Sequence, residues 1–160
     1  MRVMGIDPGL ATTGYGIIDR DDDGYSLVEA GVIITPAKEP VPQRLKTIYD
    51  GVQELIAEFQ PDELAVEELY FAKNVKTAIS VAQARGVILL AAHGLPVMSY
   101  TPLQVKLQIT GFGRAVKGQI QGMVTRLLGL SEPPGPDDAA DALAIALCHL
   151  LREEVHVGEA

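Results

Sequence analysis

Four carboxylates constrain what this chain can fold into: Asp7, Glu67, Asp138 and Asp141. Asp7 ends the apolar run Val3-Met4-Gly5-Ile6 and is followed by Pro8-Gly9. Glu67 ends Leu64-Ala65-Val66, and Asp138 and Asp141 open an alanine-rich stretch. A carboxylate carried inward by an apolar run is costly unless something positive pairs with it. The fold must therefore gather these acids around a partner. A divalent cation is the simplest candidate, and two such ions held by carboxylates suit the cutting of phosphodiesters.

The rest of the chain frames such a site. Arg2 to Asp7, Thr12 to Ile18 and Tyr25 to Thr35 read as three strands joined by short turns, the second turn being the acidic 19–24. Pro42 opens a helix with apolar residues at Leu45, Ile48, Tyr49, Val52, Leu55, Ile56 and Phe59, stopped by Pro61. Leu64 to Glu67 is a fourth strand and Leu95 to Ser99 a fifth. Between them, Asn74 caps a helix to about Ala92 that is apolar on several faces, so it is either central or shared with a partner. Thr101-Pro102 opens a helix to about Ile109, Lys117 to Leu128 is another, and Asp137 to about Glu153 is the last. The order predicts an α/β fold: a five-stranded mixed sheet, three antiparallel strands and then parallel ones, with helices on both faces. At 160 residues and 48% hydrophobic, one domain over residues 1–153 is expected, with 154–160 a frayed tail.

No apolar run reaches the length of a membrane span, and the N-terminus enters a strand directly, so neither a membrane nor a signal peptide is expected. The single cysteine, Cys148, reads as a buried structural thiol in a reducing cytoplasm. The net charge of −8 argues against a nucleic-acid partner until its distribution is considered. Residues 69–131 contain no Asp or Glu but hold Lys73, Lys76, Arg85, Lys106, Arg114, Lys117 and Arg126. That block carries +7 and leaves −15 elsewhere. Solvated surface lysines are the plain alternative; a one-signed block reads better as a footprint for a polyanion.

Each acid also has an ordinary reading. Asp7 suits a turn that bonds its own backbone. Asp137 and Asp138 suit a helix's first turn, where the dipole favours acids. Asp141, set among alanines on the same helix face as Asp138, is harder to dismiss. Glu67 and Glu68 point to opposite faces of their strand, and pattern alone does not choose between them. Hard oxygen donors favour Mg²⁺ or Mn²⁺, and no His and Cys cluster suggests zinc.

GIDPGLATTGYGII, LAVEELYFAKN, AQARGV, YTPLQVK and DDAADALAIA, in this order, resemble the bacterial RuvC family of Holliday junction resolvases, from Met1 to about Leu151. The resemblance implies an RNase H-like fold. It implies a homodimer that nicks two opposed strands of a four-way DNA junction, leaving 5′-phosphate and 3′-hydroxyl ends, alongside the RuvA–RuvB branch-migration complex. It implies two Mg²⁺ or Mn²⁺ ions per site held by Asp7, Glu67, Asp138 and Asp141, which selects Glu67 over Glu68. Lys106 and Lys117 match family lysines near the DNA backbone, and Tyr70 falls where relatives stack an aromatic on junction bases. Lys73, Lys76 and Arg114 join the expected DNA contacts through the basic block. Phe71 is expected in the core, and the helix carrying AQARGVILLAA is expected at the dimer interface. The tail is short and lacks a basic extension.

Three rivals share parts of the pattern. Asp7 to Gly14 loosely resembles the first phosphate loop of actin-like ATPases, which need a second lobe that 160 residues do not hold. An inactive junction-binding protein would not need four acids. A nuclease for RNA–DNA hybrids would share the acids but has less use for the basic block and the apolar helix.

Overall fold

A computed structural model describes residues 1–68 and 75–158, with side chains through 155. Tyr70, Phe71, Lys73 and Asn74 lie outside the described residues. Five strands form one sheet: β1 Arg2–Asp7, β2 Thr12–Asp21, β3 Gly24–Ile34, β4 Glu63–Glu67 and β5 Val97–Tyr100. Five helices accompany them: α1 Val41–Phe59, α2 Val75–Ala91, α3 Pro102–Thr110, α4 Lys117–Leu127 and α5 Asp137–Gly158. The spatial order is β3-β2-β1-β4-β5. β1 to β3 pair antiparallel, and β4 and β5 add in parallel to the other edge of β1.

The strands alternate between two cores. Val3, Ile18 and Ala65 pack with residues of α3, α4 and α5. Met4, Ile6, Ile17 and Leu64 pack with residues of α1 and α2. The sheet is thus covered on both faces, and β1 is central to both cores. Cys148 is buried in the first of them.

Element ends depart from the sequence reading where backbone pairing outruns side-chain pattern. β2 continues past Ile18 to Asp21, because β3 still offers partners there, and Asp21 Oδ1 accepts from the Asp23 N–H in the turn (2.9 Å). α1 begins at Val41, with Pro42 inside its first turn. Gln60 at φ 48° closes it before Pro61. β5 starts at Val97 and ends at Tyr100. α5 is helical as far as Gly158, past the helix limit expected near Glu153. Tyr25 Oη donates to Glu154 Oε1 (2.6 Å), and Arg20 Nη1 donates to the Leu150 carbonyl (3.1 Å), so the strand hairpin holds this end.

α2 explains its many-faced apolar pattern. Ala78, Ala84, Ile88 and Ala91 are buried, while Val75, Ile79 and Leu90 are exposed. With exposed Ala82 and Gly86 they form one stripe at helical spacing.

A buried polar chain ties α5 to β4 and β5. His149 Nδ1 and Tyr100 Oη are 2.6 Å apart, and His149 Nε2 lies 2.5 Å from Glu63 Oε2. Burial pushes the Tyr100 phenol up to about 12, so it stays neutral. Tyr100→Phe leaves a buried imidazole nitrogen without its partner, and an expected loss of about 1–3 kcal/mol follows. Urea denaturation of the variant checks this; an unchanged midpoint would refute it.

Candidate active site

The strand register sets the first two acids side by side. β1 and β4 run parallel with Ile6 opposite Val66, so Asp7 and Glu67 both leave the sheet at its C-terminal edge. The Asp7 and Glu67 carboxyls hydrogen-bond each other. Glu68 is exposed, and its N–H donates to the Tyr100 carbonyl (2.8 Å). The pleat therefore turns Glu67, and not Glu68, toward Asp7. Behind Asp7 the turn is braced by buried Thr13, whose hydroxyl donates to the Gly9 carbonyl (2.6 Å).

The other two acids arrive on α5, and glycines make that possible. Gly14 sits opposite Asp7 in the β1–β2 register. A Cβ there would overlap the Asp138 carbonyl oxygen. A Cβ at Gly5 would overlap the Ala142 carbonyl oxygen and the Ala146 nitrogen. The first turns of α5 thus lie directly on the backbone of β1 and β2, with buried Ala139, Ala140 and Ala142 facing the sheet. Asp7, Asp138 and Asp141 each offer an oxygen within 4.8 Å of the others.

The cluster is electrostatically frustrated. Burial, then the hydrogen bond and charge of Glu67, then Asp141 and Asp138, push the Asp7 carboxyl up to about 9. Burial also raises Glu67, against the hydrogen bond from Asp7. Burial raises Asp141, partly offset by Lys117. Acids this crowded and desolvated favour protons or a cation between them. Their donors are hard oxygens only, which fits Mg²⁺ or Mn²⁺ better than a softer metal.

Lys117, at the start of α4, places Nζ 3.4 Å from Asp141 Oδ2 and 3.4 Å from Asp137 Oδ2. Burial works against its charge, but the two aspartates outweigh it and raise its pKa. Lys106 of α3 and Lys117 line a cleft of about 450 Å³ with Glu67, Asp141, Val105 and Val116. Arg114 is exposed on the α3–α4 connection, next in sequence to Ala115, which lines that cleft. Lys76 lies elsewhere, in a hollow with Gly9, Thr12 and Arg44 on the other side of the Asp7 turn. Tyr70 and Lys73 fall outside the described residues.

Two residues took roles that the charge pattern did not announce. Arg85 is spent inside the fold: its Nε donates to the Glu67 carbonyl (3.2 Å) and its Nη2 to Ser99 Oγ (2.6 Å). It steadies the strand end that carries Glu67. Arg44 lies outside the acid-free block, yet it lines the second hollow, with Nε donating to Thr35 Oγ1 (2.8 Å).

A mixed five-stranded sheet, with acids gathered at one edge and two lysines lining the same cleft, defines an RNase H-like nuclease. The family profile described as crossover junction endodeoxyribonuclease RuvC matches residues 3–149. A crossover junction endodeoxyribonuclease RuvC of Fusobacterium nucleatum is 55% identical over 152 residues, covering 94% of this chain and 80% of that protein. The structure of Thermus thermophilus RuvC in complex with Holliday junction substrate superposes with a TM-score of 0.92 at 38% identity, over 98% of this chain and 96% of that one. The yeast mitochondrial Holliday junction resolvase Ydc2 shares the fold, with a TM-score of 0.70 at 13% identity over 98% of this chain and 82% of that one. This chain belongs to the RuvC family of crossover junction endodeoxyribonucleases. Among the described residues no helix is long and apolar enough to cross a membrane.

Proposed function

We propose that this chain resolves four-way DNA junctions by hydrolysing one phosphodiester in each of two opposed strands, leaving 5′-phosphate and 3′-hydroxyl ends. One observation carries the reading: Asp7, Glu67, Asp138 and Asp141 converge from three elements onto one edge of the sheet, in a chain of the RuvC family. These four acids would hold two Mg²⁺ or Mn²⁺ ions, which supply an activated water and stabilise the leaving oxygen. The protein's own part is to position and neutralise. Arg85 and the α5 glycine contacts fix the acids before substrate arrives. Lys106 and Lys117 flank the cleft where a backbone phosphate would lie and offer point charges to it. Lys73, Lys76 and Arg114 extend that contact along the backbone without reading sequence, and Tyr70 stacks on a junction base.

The substrate's symmetry calls for two sites. Val75, Ile79, Ala82, Gly86 and Leu90 form an apolar stripe on α2 suited to a second copy of the chain, its small residues permitting close approach. A two-fold dimer sets two active sites against two equivalent strands. The RuvA–RuvB complex is the expected partner at the junction, and the cytoplasm the expected compartment.

The test offers the purified protein a synthetic four-way junction, a linear duplex and an RNA–DNA hybrid, each with Mg²⁺ and with Mn²⁺. Paired symmetric nicks in the junction alone are expected, from a protein that sediments as a dimer without DNA. Preferential cutting of the hybrid would overturn the reading.

A further inference from the structure

The α3–α4 connection presents an aromatic ring that folding does not use. Phe112 is 69% exposed, between Gly111 at φ 79° and Gly113. Its backbone is nonetheless fixed. The Phe112 N–H donates to Thr110 Oγ1 (3.1 Å), and its carbonyl accepts from the Ala115 N–H (3.1 Å). Thr110 Oγ1 in turn donates to the Lys106 carbonyl (2.7 Å). The ring is held out from the surface on a braced loop. Leu103, Leu107 and Val116 are exposed nearby on the same helix pair and its connection. A contiguous exposed apolar patch on a charged protein marks an interaction site.

We propose that Phe112, with Val116 beside it, stacks against an unpaired nucleobase of the strand whose phosphate enters the catalytic cleft, and so contributes to the choice of cleavage position. Two observations select a nucleobase over an apolar protein surface. Ala115, Val116 and Lys117, from the same short segment, line the cleft with Glu67 and Asp141, so the segment that carries the ring borders the reaction site. The cations of this connection and its flanking helices, Lys106, Arg114 and Lys117, lie in a stretch of sequence that contains no acid. Flat rings among cations suit a polyanion that carries flat bases. The assignment rests on the junction-cutting reading of the carboxylate site.

Its test uses the full chain, Phe112→Ala and Phe112→Tyr, and a set of synthetic junctions with one abasic nucleotide moved stepwise past the scissile phosphate. Phe112→Ala is expected to weaken junction binding and slow cleavage by about 10-fold, the scale of one lost base stack. Phe112→Tyr restores both, and the thermal midpoint of each variant stays at the wild-type value because the ring is exposed. At one abasic position the difference between wild type and Phe112→Ala vanishes, which identifies the stacked base. A defect of equal size at every abasic position, or no defect, overturns the stacking while wild-type cleavage leaves the junction-cutting reading standing. A wild-type protein that leaves every junction uncut overturns both.

Discussion

Asp7→Asn is expected to abolish junction cleavage, leave junction binding intact and raise the stability of the metal-free protein. The three effects share one cause. Asp7 sits at the centre of the cluster, hydrogen-bonded to Glu67 and within 4.8 Å of oxygens on Asp138 and Asp141. An amide keeps the shape but supplies no charge to hold a cation, and the loss of metal-borne stabilisation, several kcal/mol, slows cleavage by on the order of 10³-fold or more. Binding survives because the proposed DNA contacts are the lysines and arginines around the cleft, not the acid. Stability rises because the native fold crowds desolvated acids. The Asp7 carboxyl is pushed up to about 9, whereas an unfolded aspartate ionises near pH ~3.9. Between those values the unfolded chain has given up the proton and the folded one retains it. Native stability from this group is therefore fully present below the unfolded value and is lost as pH rises toward 9. The wild type without divalent ions is expected to melt lower at pH 8 than at pH 5.5. Asp7→Asn should flatten that slope and gain about 0.5–2 kcal/mol at pH 8. Calorimetry at the two pH values, with junction cleavage and binding assays, checks all three. Retained cleavage in Mg²⁺ would remove Asp7 from the site.

How legible these features were depends on how far apart their causes lie in sequence. The β1 strand and its terminal Asp7 are local: an apolar run ends at Pro8-Gly9, and the strand ends there. The α3 start is equally local, because Thr101 Oγ1 accepts from the Gln104 N–H (3.1 Å) and Gln104 returns the bond to the Thr101 N–H (2.9 Å). Glu67 and Glu68 are different. Glu67 closes β4 and Glu68 follows it, and which of them faces the site is decided by the face that α5 covers, some seventy residues later. The resemblance supplied that choice; alternation did not. Arg85 looked like part of a polyanion footprint because charge patterning counts side chains, not their partners. Its guanidinium is directed by β4 and β5, which its own helix flank does not reveal. The chain from Glu63 through His149 to Tyr100 spans separations of 86 and 49 residues, and no spacing rule connects them. The extent of α5 was illegible for a similar reason: Leu150 and Glu154 are tied to Arg20 and Tyr25 of the strand hairpin, more than a hundred residues earlier.

Gly14→Ala should disable the site without replacing any proposed ligand or DNA contact. A glycine inside a strand ordinarily weakens it, yet Gly14 is a seat for a helix. The added Cβ would overlap the Asp138 carbonyl oxygen and stand 3.1 Å from the Asp138 Cβ. Backbone cannot swing aside as a side chain can, so α5 must shift as a unit or tilt away from β2. Either response strains a core in which Leu143, Leu147 and Cys148 are fully buried, and overpacking of this kind costs about 1–3 kcal/mol. The catalytic consequence is larger. Asp138 and Asp141 ride on the displaced turns, while Asp7 and Glu67 stay on the sheet, so the cluster opens. A misplacement near 1 Å costs roughly 10²-fold in rate. The matched control is Gly122→Ala in α4, where the new Cβ meets nothing within 4 Å. That change is expected to stabilise by about 0.5–1 kcal/mol through helix propensity and to leave cleavage unaltered. Cleavage by Gly14→Ala at the rate of Gly122→Ala would show that α5 does not need its close seat on β2. It would leave the approach of Asp138 to Asp7 without the cause assigned to it.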